Sequence, residues 1–175
     1  NYSIVDNDRP RVCADRLDGV IITGISWIKN IEYEEIDKII NNIKIYKNEE
    51  GLNEIGFNTF EVGKLVLDTS KSIDEYCHSN EDNYMMELLA EITRIAIKDQ
   101  IITYEDLYIF NEKELFEKLK KCENENISQL IKRFETVKKE EIPYIKLENV
   151  KERNLDPIVG GKRLNYLEEY NNLYI

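Results

Sequence analysis

The stretch RPRVCADRLDGVIITG, Arg9 to Gly24, decides how the rest of the chain reads. Val12, Leu17, Val20, Ile21 and Ile25 recur at the spacing of one helix face. A helix is therefore expected from Arg11 to about Trp27, with Pro10 in the fixed-φ position that opens one. Gly19 and Gly24 weaken it without forbidding it. On that helix Asp15 and Asp18 are three apart and Arg11 lies four before Asp15, so all three share one side. Leu17, Val20 and Ile21 take the other. A carboxylate set between Ala14 and Leu17 in an apolar helix calls for a cation, because burying an isolated charge is costly. In one reading the cation is arginine, giving a structural charge network at a helix start. In the other it is a metal ion.

Outward from this stretch the chain is mostly helical. A helix covers about Glu34 to Asn41. Ile43 and Ile45 then alternate with Lys44 ahead of a polar turn at Gly51, which suits a small hairpin or a looping connection up to Phe57. Asn58 with Glu61 gives a capping-box pattern opening a helix to about Cys77. HSNEDN, His78 to Asn83, is a polar break before a helix from about Tyr84 to Lys98. Thr103 caps a short piece with Glu105 and Asp106 in its first turn. Asn111 caps the next, and ISQLIKRFETV forms another. From Pro143 the pattern becomes a strand, a turn at Gly160 and Gly161, a second short strand and a Tyr-rich tail. The expected fold is mainly α, a helical body over residues 1–142 with a small β-hairpin accessory and tail over 143–175.

Composition narrows the function. The 175 residues carry 24 Lys and Arg against 35 Asp and Glu, a formal charge of −11, and 42% are hydrophobic. That balance argues against nucleic acid, whose phosphates need clustered bases, and against an anionic membrane surface. No apolar run reaches the roughly 18 residues of a membrane span. Cys13, Cys77 and Cys122 have no CxxC spacing and read as reduced thiols of a cytoplasmic protein. Ile, Lys and Asn are abundant, the bias of AT-rich bacterial coding. The first residue is Asn1 rather than Met, which fits a piece of a longer protein.

The segment CADRLD, Cys13 to Asp18, resembles the late helix of HD-domain metal-dependent phosphohydrolases, in which a D-[RK]-x-D pattern begins with an Asp that closes a metal site. The element DP-x-V-x-GKRL, Asp156 to Leu164, fits the later part of the same superfamily. The resemblance covers most of this chain but only the later half of such a protein. It implies Asp15 as a ligand of a divalent metal ion, Arg16 as a base facing substrate phosphate, and Asp18 as the second acid. It further implies an HD-type helical portion and hydrolysis of a phosphate ester or nucleotide. The partners would be a phosphorylated small molecule or nucleotide and a His-bearing N-terminal half or companion chain. Imidazole and carboxylate ligands suit divalent first-row metals, which activate water and neutralise phosphoryl charge. The sequence departs from the family in two respects. It holds no His-Asp dipeptide, and its single His78 is followed by Ser79. The Tyr and the later Arg-Asp pair of nucleotide-cleaving members are replaced by Gly19 and by Ile22 and Thr23.

Other motifs carry less. His78, with Cys77, Glu81 and Asp82 nearby, lacks the second Cys/His pair that a zinc site needs and suits the end of a helix. Gly160-Gly161-Lys162-Arg163 lacks the context of a P-loop and reads as a hairpin turn flanked by two solvated bases. The alternative to an enzyme is a non-catalytic acidic helical module in which Arg11, Asp15, Arg16 and Asp18 form a structural network and the acidic surface meets a basic partner. A homo-oligomer is compatible with either.

Overall fold

Helix α1, Ala14–Thr23, and helix α3, Phe60–Cys77, pack against each other beside a small sheet. They are seen in a computed structural model that describes residues 2–145 and 153–171. The chain falls into two units, one of residues 1–77 with 151–175 and the other of residues 78–150. The division therefore does not lie at 142/143, because the C-terminal hairpin belongs to the sheet of the first unit. The fold is mainly α with a small β component, as the periodicity implied. Among the described residues no helix is long and apolar enough to cross a membrane.

In the first unit, α1 runs into a π-helical turn, Gly24–Ile28, and is followed by α2, Tyr33–Asn42. Strands β1, Ile43–Lys47, and β2, Asn53–Phe57, form the antiparallel hairpin that the alternation at Ile43 and Ile45 suggested. Late in the chain, β3, Ile158–Val159, pairs parallel with β2, and β4, Lys162–Arg163, pairs antiparallel with β3. The sheet order is β1-β2-β3-β4. The β3–β4 turn uses Gly160 and Gly161 at φ +56° and +91°, a region costly for side-chain-bearing residues. The strand expected just after Pro143 falls largely on residues 146–152, outside the described residues. Helix α3 packs directly on β3 because Gly63 has no Cβ; one there would lie 2.3 Å from Val159 Cγ2. Val12, Leu17, Val20, Ile39, Phe57, Val62, Val66 and Leu164 are the centre of this unit's core.

The second unit begins with α4, Asn80–Lys98. It starts earlier than its apolar periodicity, since Ser79 accepts a hydrogen bond from the Asp82 amide and Glu81 and Asp82 suit the helix dipole. Then come α5, Asp106–Ile109, α6, Glu112–Lys120, and α7, Glu125–Thr136. Asn111 caps α6 as expected of the sequence, and the Glu114 side chain reciprocates by accepting from the Asn111 amide. Leu88, Ile92, Ala96, Ile102, Leu119, Ile127 and Ile131 form this unit's own core.

One ion-pair cluster ties the first unit together. Arg163, read from sequence as a solvated base, is 8% exposed, and Glu54 on β2 is fully buried. Arg163 donates from Nη1 to Glu54 Oε1 at 2.6 Å and from Nη2 to Oε2 at 2.9 Å. Its Nε donates to Glu49 Oε1 at 2.7 Å, and its Nη1 also donates to the Asp156 carbonyl at 2.8 Å. Glu54 further accepts from the Val12 amide at 3.2 Å. Burial alone would lower the guanidinium's pKa, but the hydrogen bonds it donates to Glu49 and Glu54 outweigh it and the net shift is upward. The hydrogen bond from Arg163 holds the Glu49 carboxyl down at about 2. Burial pushes Asp156 up, against the hydrogen bond from the Asn165 amide. A short helix-final turn, Leu164–Tyr166, and α8, Glu168–Asn171, close the unit.

Replacing Arg163 by Met leaves a buried carboxylate without its cation, so unfolding free energy in a denaturant titration should fall by about 3–5 kcal/mol. Glu49 gives a milder, pH-dependent signature. Its folded pKa is depressed, so its contribution is full above about 4.5 and is lost as pH falls towards about 2. Because the Glu49 side chain is 62% exposed, solvent screening holds that contribution to about 1 kcal/mol or less. Glu49→Gln should flatten the acid limb of a stability–pH curve over that window and leave the limb above pH 5 parallel to wild type.

Candidate functional site

Helix α1 begins at Ala14, three residues later than its apolar spacing implies, because the preceding residues are engaged elsewhere. The Arg11 amide bonds the Asp8 carbonyl at 3.2 Å, and the Val12 amide bonds Glu54. Arg11 therefore lies outside the helix and pairs with Glu50 of the β1–β2 turn, not with Asp15. The side shared by Arg11, Asp15 and Asp18 does not exist as expected. The first amides of α1 are occupied by the chain's own entry: Ala14 donates to the Ile4 carbonyl at 2.8 Å and Asp15 to that of Val5 at 3.2 Å. Such amides are otherwise orphan donors.

Arg16 is half-buried, and its terminal nitrogens hold this entry loop. Nη1 donates to Asn7 Oδ1 at 2.8 Å and to the Arg11 carbonyl, and Nη2 donates to the Asn7 carbonyl at 2.6 Å. Asn7 in turn donates to the carbonyls of Ser3 and Val12, at 2.9 and 3.1 Å. Arg16 is thus the clasp of a loop from Ser3 to Val12.

Asp15 and Asp18 are both exposed, so hydration rather than a buried cation supports their charge. Asp15, with Arg16, lines a pocket of about 360 Å³ in the first unit, whose wall also carries Asp6, Arg9, Ser70 and Arg153. Asp18 lies outside that lining. The pocket brings together Asp15 and Arg16, the pair that the resemblance singles out, and adds two arginines that sequence reasoning missed. Arg153 is fixed by its backbone: its amide donates to Asp74 Oδ1 at 2.9 Å, and its carbonyl accepts from the buried Ser70 hydroxyl at 3.1 Å. Its Nε is buried and has no hydrogen-bond partner among the described residues. Arg9 has its pKa lowered, first by burial and then by the charges of Arg16 and Arg153, with Asp74 opposing. Arg9 was within the quoted stretch, but nothing in its spacing linked it to position 153.

Among the described residues no three His, Cys, Asp or Glu side chains come together to hold a metal ion. Asp15 is therefore not part of such a group among the described residues. No family model, curated protein or solved structure matches the chain.

Arg16→Met should lower stability by about 2 kcal/mol, since hydrogen bonds from a charged group to otherwise unpaired carbonyls are lost. Hydrogen exchange should speed up over residues 3–16 in that variant. Asp15→Asn should stay within about 0.5 kcal/mol of wild type, as an exposed side chain without a structural bond does. Denaturant titration of both variants separates the clasp from the carboxylate.

Proposed function

We propose that this chain is the phosphate-binding, C-terminal portion of a metal-dependent phosphohydrolase of HD type, acting on a phosphate ester or nucleotide. The observation that carries the reading is the convergence of Asp15 and Arg16 on one pocket with Arg9 and Arg153. Arginine presents planar N–H groups that match phosphate oxygens and stays charged at any physiological pH. A pocket of about 360 Å³ is at the small end of ligand sites. That volume suits a phosphorylated small molecule.

In this reading Arg9 and Arg153 attract and neutralise the phosphate. Arg16 fixes the loop that carries Arg9, so its contribution to turnover is indirect. Asp15 stands at the same wall, where it is the carboxylate this chain would offer to a divalent metal ion. The histidines of such a site lie on another stretch of polypeptide, in the same protein or a companion. A metal held there would supply the activated water; the residues of this chain bind and orient. Asp18, outside the pocket wall, contributes to neither task.

The 175 residues alone, dialysed against Mn²⁺ and then against metal-free buffer, should retain no stoichiometric metal by elemental analysis and should not cleave p-nitrophenyl phosphate. Joined to a His-Asp-bearing half, the protein should retain metal and turn over, and Asp15→Ala should remove both. Metal content unchanged in that variant would defeat the assignment and favour a structural part for the Asp15–Arg16 segment.

A further inference from the structure

Three arginines share the pocket wall, but they are not equivalent. The terminal nitrogens of Arg16 are taken by Asn7 and the Arg11 carbonyl. The Nε of Arg153 is buried and bonded to nothing among the described residues. A buried donor left without an acceptor costs free energy, and a guanidinium cannot shed its charge to avoid the cost. Arg153 is also held in place independently of its side chain, through Ser70 and Asp74. Arg9 lines the same pocket, and its pKa is lowered first by burial and then by the charges of Arg16 and Arg153. The wall has three guanidinium groups against the carboxylates of Asp6 and Asp15. A doubly charged anion relieves the repulsion between Arg9 and Arg153 at both partners, whereas a singly charged one relieves it only in part.

Resting on the reading that this pocket takes a phosphate group, we infer that Arg153, with Arg9, is the specificity determinant that selects a terminal phosphomonoester dianion over a phosphodiester. The charges of Arg9 and Arg153 balance the two negative charges on the non-bridging phosphate oxygens. A diester carries one negative charge and places an alkyl group where the second charged oxygen belongs. Asp6 and Asp15 disfavour further anionic groups on the ligand near their side of the wall.

The test uses the 175-residue chain in EDTA, so that metal chemistry plays no part. Methyl phosphate and dimethyl phosphate are titrated above pH 7 while ¹H–¹⁵N spectra are recorded. Methyl phosphate should shift the amides of Gly19 and Thr23, which line the same pocket, with dimethyl phosphate at least about tenfold weaker. Arg153→Met should weaken methyl phosphate about tenfold or more and abolish the preference. Its melting temperature should be unchanged or higher, because the anchoring contacts of residue 153 are made by backbone and the substitution removes a buried unpaired donor. Asp15→Asn should bind at least as tightly as wild type. Equal binding of the two esters, shifts confined to residues away from the pocket, no binding by wild type, or unchanged affinity in Arg153→Met would each overturn the inference. The spectra of wild type decide the matter if Arg153→Met fails to fold. No binding by wild type would also remove the phosphate pocket on which the hydrolase reading rests, whereas equal binding of the two esters or unchanged affinity in Arg153→Met would overturn the selectivity alone and leave that reading to Asp15→Ala.

Discussion

A fully buried carboxylate on a central strand constrains everything around it. Glu54 sits on β2 and is met by both ends of the Arg163 guanidinium. Such a pair is not a large net source of stability, since the desolvation of both ions offsets their attraction. It is a source of specificity: few other placements of the C-terminal hairpin satisfy Glu54. Arg163 also reaches the Asp156 carbonyl, and the Asp156 amide bonds the Pro10 carbonyl at 2.9 Å. Glu54 meanwhile takes the Val12 amide. The pair thus aligns the segment around Asp156 with the loop around Pro10. That alignment puts Arg153 beside Arg9, so the pocket is a consequence of an ion pair that does not line it.

The helices and the two hairpins were legible because their signals are local. Alternation at Ile43 and Ile45, the paired glycines at 160 and 161, and the Asn111 cap each lie within a few residues. The start of α1 was misread for a non-local reason. Its apolar spacing continues back to Val12, yet the Val12 amide is drawn to Glu54, 42 residues away. Arg163 was misread in the same way, since a base after a glycine turn is usually solvated and only its partner on β2 changes that. The Tyr84 start expected for α4 was late because an amphipathic stripe marks what is buried, and the first turn of a helix is set by its cap.

The candidate site divides along the same line. Asp15 and Arg16 were visible as a motif, and both do reach the pocket. Their expected roles were drawn from a regular helix with Arg11 on its side, and the clasp formed by Arg16 and Asn7 has no sequence signature. Arg9 and Arg153 were unmarked because the contact between the two ends of the unit depends on the buried pair. A motif names residues that act together when they are near in sequence. Here Arg9, Asp15 and Arg16 are near in sequence, and Arg153 is brought to the same pocket by the sheet.

The electrostatics give the pocket its meaning. A chain with a formal charge of −11 repels anions at long range. At physiological ionic strength that repulsion is screened beyond roughly 8 Å, while charges packed around a partly enclosed pocket are screened far less. An anion entering between Arg9 and Arg153 therefore responds to the wall of the pocket more than to the net charge. On the proposed reading, an extended polyanion would have to cover many carboxylates at once. A compact phosphate would meet Arg9, Arg16 and Arg153 together with the carboxylates of Asp6 and Asp15. The global charge and the local cluster would then act in the same direction, against long anions and for short ones.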